Sequence, residues 1–378
     1  MTWPRAVVAA AVLAAAASGR AETRRTIAGS VQLDYLAVPT NGQIKHSTFD
    51  GMTAELSLKM SVDFTSNASV SVKVCFACHG FEAAAGFVDL RAADELSVRV
   101  GRFTPELGSF PQRGDPANHR SNDKPLPYDM GRMLHNVYWN EGILPAPWVD
   151  NGVELLGTRF VDGGRIDYAA YVLSGPKGAA GGVDFDFAAS RSPAQYYVDN
   201  NSEPTVGARL SGSLDLDAEG HSITLGASAM AGHYDPEGRL GFVVAGADAV
   251  ASLDGIVIRA EYLARRTDMD ADNPQTVWKY PPNTSGGRDD HFVKHGFYAE
   301  AEVPLGRFDV LGRFDGLLRY GNVVAGSPLS SRAQLLRYTA GAAIRITDNI
   351  RVKTSIEYYH FSDLADELAL HLGVATPF

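Results

Sequence analysis

Strict alternation of apolar and polar residues over long stretches is the feature that most limits how this chain can fold. Between Gly51 and Phe64, every second side chain from Met52 onward is apolar, and the side chains between them are polar or charged. Successive side chains point to opposite faces only in an extended strand, so this stretch predicts a β-strand of about 13 residues. The same alternation recurs at 69–76, 96–103, 256–266, 297–303, 308–320 and 350–358.

The connections between these strands alternate between short and long. The short connections are turns of three or four residues, which contain Ser66, Gly163, Asp254 and Asp348. Longer segments rich in Pro, Gly and Asp occupy 104–149, 175–203, 268–294 and 322–333. We count sixteen strands between Ile27 and Phe378. The pattern predicts an all-β fold, a transmembrane antiparallel β-barrel of about 16 strands with short periplasmic turns and long external loops.

A secreted β-sandwich or propeller is the alternative, because its strands also alternate. Strands in such domains usually have about five or six residues, which is shorter than the segments found here. No repeated blade motif is present either. The barrel is therefore the favoured interpretation.

The first 21 residues have the parts of an export signal. Arg5 is followed by an apolar run from Ala6 to Ala17 and then by small residues up to Ala21. A membrane anchor is the competing interpretation, but this run is shorter than the roughly 20 residues that cross a bilayer. We expect residues 1–21 to be a cleaved signal peptide and residues 22–378 to form a single barrel. The final strand alternates up to Phe378 and resembles the C-terminal signal of bacterial outer-membrane proteins, so we expect that location.

The net charge is −10, and loss of Arg5 and Arg20 with the signal peptide makes it −12. An acidic chain does not have the basic surface of a general nucleic-acid binder. The strand register nevertheless places many basic side chains on the polar, inward face. Rings of Arg and Lys favour anions, whereas the same residues also occur in unselective pores, and both interpretations stay open. The predicted pore-lining residues on the strands are Arg259, Arg265, Arg307, Arg313, Arg319, Arg337, Arg345 and Arg351.

The 46-residue connection 104–149 is the other candidate for selectivity, since loops of this length are usually functional or disordered. The segment Leu96–Gly108, with Met130–Leu134 and Gly164–Gly175, resembles phosphate-selective porins of the O/P type over about residues 50–175. This resemblance implies a diffusion channel whose third loop folds inward as a constriction. It makes Arg113, Arg120 and Arg132 candidate lining residues.

Both cysteines lie in one motif, Cys75-Phe-Ala-Cys78-His79, which has the C-x-x-C-H spacing of c-type haem attachment. Two thiols at this spacing reach the two vinyl groups of one haem, and His79 is then the proximal iron ligand. The pair could instead form a disulfide, act as a metal or redox pair, or be inert. Alternation places Cys75 on the lumen side. The candidates for a distal iron ligand are His119, Met130, Met133 and His135.

The predicted function is a porin, a water-filled channel for passive diffusion of small or anionic solutes that carries one covalent haem c. The alternative is an electron-transfer protein in which the barrel is a scaffold. The partners expected are outer-membrane lipid, small solutes or anions, periplasmic or surface cytochromes and two further copies in a homotrimer, with no nucleic acid. No G-x-S-x-G, H-E-x-x-H or phosphate-binding glycine loop is present, so an enzyme is not expected.

Overall fold

One closed barrel of sixteen antiparallel strands makes up the part of the chain that the structure describes. The computed structural model describes residues 23–39, 51–77, 80–128, 142–144, 148–178, 187, 190, 198–217, 220–270, 290–320, 332–362 and 365–378. Each strand pairs with its neighbours in sequence, and β1 pairs with β16 to close the ring.

The first eight strands are β1 (Arg24–Ala37), β2 (Gly51–Thr65), β3 (Ala68–Ala77), β4 (Gly80–Ala93), β5 (Leu96–Phe103), β6 (Asp150–Val161), β7 (Gly164–Leu173) and β8 (Thr205–Asp215). The others are β9 (Ser222–His233), β10 (Gly241–Leu253), β11 (Ile256–Asp268), β12 (His291–Leu305), β13 (Phe308–Tyr320), β14 (Arg332–Arg345), β15 (Arg351–Phe361) and β16 (Glu367–Pro377). The predicted fold class and strand number are confirmed.

The alternation of the sequence becomes two chemically different faces of the barrel wall. Tyr262, Tyr338 and Leu372 point outward and are exposed, whereas Glu261 and Arg337 on the other face are buried inside the ring. An apolar outer band with a polar interior is the arrangement of a barrel surrounded by lipid. No helix in the described segments has the length and hydropathy that crossing a membrane requires.

Strand β12 is longer than its alternation predicts, because an apolar side chain, Phe292, lies on the inward face near its start. The predicted segment covered 297–303, whereas the strand begins at His291. Phe292 faces inward there and is fully buried in an apolar cluster that includes Leu126 and Ile143 from the β5–β6 connection. An apolar inward residue is favourable at this depth because the interior holds packed protein rather than water.

The barrel closes where its two ends meet, and this pairing of β1 with β16 is called the seam below. Eight residue pairs join the two strands, from Ser30 with Pro377 to Ala37 with Leu370. The last residue extends the pairing: the Gly29 N–H donates to the Phe378 carbonyl at 2.8 Å, and the Phe378 N–H donates to Gly29 at 3.0 Å. Closure leaves the ring without an unpaired strand edge, which lipid could not solvate.

Candidate functional site: the inner loop and the barrel wall

The connection between β5 and β6 folds into the barrel instead of projecting from its rim. Of its described residues, 104–128 and 142–144 are called the inner loop below. They contain three short 3-10 helices: Pro111–Arg113, Pro116–Asn118 and Leu126–Tyr128. Leu107, Phe110 and Leu126 are buried, and apolar wall residues such as Leu317 and Leu335 belong to the same cluster as Leu107 and Leu126.

Basic side chains of the wall donate hydrogen bonds to backbone carbonyls of the inner loop. Lys353 donates to the carbonyls of Pro116 at 2.5 Å and Ser121 at 3.3 Å, and Arg351 donates to Ala117 at 3.0 Å. An irregular segment pairs only some of its own carbonyls, and a buried carbonyl without a donor is costly. These wall cations therefore hold the loop in place as well as adding positive charge.

Residues 142–144, where the inner loop returns towards β6, are also held by basic wall side chains that donate to backbone carbonyls. The Arg265 guanidinium donates to the Ile143 carbonyl at 2.7 Å, and Lys294 donates to the Gly142 carbonyl at 3.2 Å. Ile143 in turn donates its backbone N–H to Pro127 at 3.0 Å. Both limbs of the loop are thus bound to the wall.

Acidic wall residues accept the N–H groups of the loop. Glu261 accepts from the Ser109 N–H and hydroxyl, both at 3.1 Å, and from the Tyr128 hydroxyl. Asp315 accepts the Leu126 N–H at 2.9 Å. Hydrogen bonds to ionised acceptors are about twice as strong as neutral ones, so these carboxylates are effective anchors.

The loop also reaches the seam. Asn122 donates its side-chain amide to Asp34 at 2.7 Å, and its carbonyl accepts from Gln32 at 3.1 Å. Gly373 on β16 permits this approach, because a Cβ at that position would lie 2.6 Å from Nδ2 of Asn122. A side chain at this position would displace the Asn122 amide or the Leu33 carbonyl of β1.

Ion pairs and hydrogen bonds attach the inner loop to opposite sides of the barrel wall. Lys73 on β3 pairs with Asp115 at 2.5 Å, while Glu261 on β11 holds Ser109. Strands β3 and β11 are eight apart in a ring of sixteen and therefore lie on opposite sides. Further pairs from loop to wall include Arg113 with Glu300 (3.4 Å), Arg120 with Asp309 (3.1 Å) and Lys124 with Glu55 (3.5 Å).

The structure corrects the pore-lining prediction for several arginines. Arg265, Arg313 and Arg337 point into the barrel but are buried, because the inner loop covers them and accepts their hydrogen bonds. Arg307 lies in the turn between β12 and β13 and is exposed there, beyond the end of the wall.

The other predicted arginines lie as follows. Arg113, Arg120, Arg259, Arg345 and Arg351 are half-buried, and each has ion pairs or hydrogen bonds inside the barrel or at its rim. Arg319 is in β13 opposite Lys294, but its side chain is outside the described part. Arg132 lies outside the described residues.

Three of these arginines gather at the end of the barrel that carries the short turns, and we call Arg120, Arg345 and Arg351 the basic cluster. Arg345 and Arg351 occupy directly opposed positions on β14 and β15, an unfavourable pairing of like charges. Asp309 lies 3.1 Å from Arg120 and 3.7 Å from Arg345. Nε of Arg345 and Nε of Arg351 have no hydrogen-bond partner among the described residues. Three positive charges thus lie near two carboxylates, since Glu302 as well as Asp309 is within electrostatic range of Arg351.

Of the haem-attachment residues, the structure describes Cys75 alone, since Cys78 and His79 lie outside the described residues. Cys75 is half-buried near the end of β3, opposite Ser57, whose side chain is inside the barrel. The neighbouring Phe76 points outward. A thiol on the inner face, close to the end of the strand, suits a thioether bond to a group in the lumen.

The candidates for a distal iron ligand fit a haem less well than Cys75 does. Met130, Met133 and His135 lie outside the described residues. His119 is buried beside Phe110, with Nδ1 at 3.0 Å from the Ser121 carbonyl. Burial and the charges of Lys353 and Lys124 hold the pKa of His119 well below its usual range. The ring is therefore neutral but enclosed, so His119 does not fit a ligand to a haem held at Cys75.

Sequence reasoning missed the residues that anchor the loop at the seam. Asp34, Asn122 and His371 were not predicted, although Asp34 and His371 are ionisable side chains on the inward faces of β1 and β16. An ionisable residue at barrel depth is expected to have a partner, and this signal could have identified both. Their partner, the inner loop, is visible only in three dimensions.

No protein-family model matches the sequence, and no curated protein matches it. The chain is similar in structure to the anion-selective porin of Comamonas acidovorans, with 11% identity, a TM-score of 0.58 and coverage of 94% of this chain and 100% of the porin. It is also similar to OmpF of Salmonella typhi in complex with daunomycin (12% identity, TM-score 0.56, coverage 94% and 97%). The channel DcaP of Acinetobacter baumannii gives 10% identity, a TM-score of 0.56 and coverage of 95% and 99%. The chain therefore has the sixteen-stranded barrel fold of outer-membrane porins.

Proposed function

We propose that this protein is a bacterial outer-membrane porin, through which small solutes diffuse past the inner loop. The observation that carries this is a tethered loop spanning the lumen from β3 to β11 inside a closed barrel. Such a loop narrows the passage and presents charged side chains to a solute. The apolar outer face suits a lipid bilayer, and cleavage of residues 1–21 would complete export.

We propose further that the channel prefers anions, because of the basic cluster. Arg120 and Arg345 are partly accessible, with about a quarter and two-fifths of their side chains exposed. Arg351 lies within electrostatic range of both. A passing carboxylate, phosphate or chloride would meet an excess of positive charge there, as in pores whose Arg or Lys residues select anions.

The preference is tested by the reversal potential of the reconstituted channel in a potassium chloride gradient. A unit charge about 6 Å from a permeating ion in water changes its energy by roughly 0.7 kcal/mol, or about threefold. The triple variant Arg120→Gln, Arg345→Gln, Arg351→Gln is expected to lower the chloride-to-potassium permeability ratio by about tenfold. This is less than the combined effect of three unscreened charges, because salt screens each of them.

Arg266→Gln is the matched control, because Arg266 lies on the outward face of β11 and pairs with Asp268 at 2.6 Å. It should leave the permeability ratio unchanged. An equal ratio in the wild type and the triple variant would contradict anion selection by the basic cluster. Failure of the wild type to conduct at all would contradict the porin function itself.

A second candidate function is electron transfer through a covalent haem c, and the lumen-facing thiol of Cys75 favours it. Cys75 and Cys78 would hold the haem, and His79 would ligate its iron. The bound haem would supply one-electron redox chemistry at the mouth of the barrel, with periplasmic or surface cytochromes as partners. Cys75 would fix one side of the group at the lumen wall.

Haem attachment is tested by peroxidase staining of the denatured protein, expressed in cells that mature c-type cytochromes. We expect a stained band in the wild type and in His119→Gln, and loss of the stain in Cys75→Ser. A wild-type band of full length without stain would refute covalent haem.

The proposal also includes the oligomeric state. One OmpT structure from Vibrio cholerae is described as a trimer form of that protein, and we propose that this chain also forms a homotrimer.

A further inference from the structure

Three side chains able to bind a metal converge where the inner loop meets the seam. Asp123 comes from the loop, Glu357 from β15 and His371 from β16, and one ligand atom of each lies within 4.8 Å of the others. All three residues are buried. Nε2 of His371 is 3.5 Å from Oδ2 of Asp123 and 3.8 Å from Oε2 of Glu357. Ligands about 2.0–2.1 Å from a tetrahedral ion are roughly 3.3–3.4 Å apart, so little movement is needed to enclose one.

The imidazole of His371 is oriented from behind by a carboxylate. Its Nδ1 lies 2.8 Å from Oδ2 of Asp34, and Asp34 accepts the side-chain amide of Asn122 at 2.7 Å. Donation from Nδ1–H to Asp34 leaves the Nε2 lone pair facing Asp123 and Glu357. A histidine that ligates a metal through one nitrogen and donates from the other to a carboxylate is a recurrent arrangement around metal ions.

The ring nitrogen of His371 that faces the other two side chains makes only long contacts with them. Nε2 of His371 has no hydrogen-bond partner among the described residues, because its nearest carboxylate oxygens are 3.5 and 3.8 Å away. Hydrogen bonds from nitrogen to oxygen are usually 2.7–3.2 Å long. A neutral ring would direct its lone pair at two carboxylates, which is repulsive. Arg337 offsets part of that repulsion, since its Nη1 lies 3.3 Å from Oε2 of Glu357 and 3.7 Å from Oδ2 of Asp123, and a metal ion bound by the three atoms would remove the rest.

The charge of the surrounding side chains points in the same direction. With His371 neutral, the ion pairs among the described residues join six carboxylates to only four guanidinium groups, an excess of negative charge that a divalent ion would offset. The carboxylates are Asp34, Asp123, Glu300, Glu302, Asp315 and Glu357, and the guanidinium groups are Arg113, Arg259, Arg313 and Arg337.

We propose that Asp123, Glu357 and His371 bind a divalent transition-metal ion, zinc in the first instance, which joins the inner loop to the last two strands beside the seam. One imidazole and two carboxylates are ligands that zinc accepts in tetrahedral sites. The ion fixes Asp123 and thereby the whole segment of the loop that packs on the wall. This proposal is independent of the solute that the channel carries.

The test uses full-length protein carrying Cys75→Ser and Cys78→Ser, so that thiolates do not compete for the metal. The protein is folded in detergent, treated with a chelator and titrated with zinc chloride by calorimetry at pH 8. One zinc ion per chain is expected, and Asp34→Asn should weaken binding by about 10–100-fold. His371→Gln should weaken it by more than about 100-fold. His360→Gln is the matched control, since His360 is exposed on β15 and pairs with Asp366.

Cobalt provides a readout that needs no variant, because a tetrahedral site of nitrogen and oxygen ligands gives visible absorption when Co²⁺ occupies it. The proposal is supported by one equivalent of cobalt with that absorption and its displacement by zinc. It is overturned if the Cys-free protein binds less than one zinc per chain with no cobalt absorption. It is also overturned if folded His371→Gln or Glu357→Gln binds zinc as the Cys-free protein does.

Discussion

Replacing Arg337 by alanine is expected to lower the free energy of unfolding of the barrel by about 3–5 kcal/mol. Arg337 is fully buried and contacts Asp315 at 2.6 Å and Glu357 at 3.3 Å, and it donates to the Lys124 carbonyl of the inner loop. Its removal takes away one donor from each of two buried carboxylates and from a buried carbonyl, together with the positive charge that faces both carboxylates. An uncompensated buried charge costs much more than the net worth of the original pair.

The measurement is urea unfolding of the protein folded in detergent or lipid, followed by the gel shift between folded and unfolded barrel. Arg345→Ala is the control, because Arg345 is two-fifths exposed and its contact with Asp309 is 3.7 Å long. A loss below about 1 kcal/mol is expected for this exposed pair. Equal unfolding midpoints for the two variants would show that the Arg337 network does not stabilise the barrel.

Replacing Glu261 by alanine is expected to release the inner loop and make the channel fluctuate. Glu261 is buried on β11 and holds the loop at Ser109 and Tyr128. Each hydrogen bond to a charged group contributes about 1.5–3 kcal/mol, so losing all three favours the detached loop by at least about 4.5 kcal/mol, or on the order of 1,000-fold. Single-channel recordings should show frequent steps to a higher conductance that are rare in the wild type.

Glu302→Ala is the control for the channel recordings. Glu302 also faces the interior and pairs with Arg259 at 3.1 Å, so this variant removes a buried negative charge without touching an anchor of the loop. Its conductance can change through charge, but the steps should stay rare. Steps equally frequent in both variants would mean that charge, and not the anchoring of the loop, sets the opening.

Alternation was sufficient to predict the barrel because lipid and water impose opposite demands on successive side chains. The strand Phe308–Tyr320 has the predicted bounds, and Leu96–Phe103 does as well. The prediction was incomplete at β12, where Phe292 faces inward. A local pattern cannot reveal that protein, rather than water, occupies the interior at that height.

The charged residues show where sequence reasoning reaches its limit. The register correctly places Arg265, Arg313 and Arg337 on the inward face, because side chains alternate strictly along a strand. Whether an inward arginine meets water or protein depends on a loop more than a hundred residues away in sequence. The arginines that the loop covers anchor it, whereas Arg120, Arg345 and Arg351 stay partly accessible.

The sequence by itself determined the all-β class, the number of strands, the two faces of the wall and the C-x-x-C-H motif, since each follows from local order along the chain. Only the tertiary structure decided that the inner loop crosses from β3 to β11 and that Asp123, Glu357 and His371 meet beside the seam. The physical reason is ring closure. Joining β1 to β16 brings the two ends of the chain together around a loop from its first half, and no sequence spacing encodes those distances.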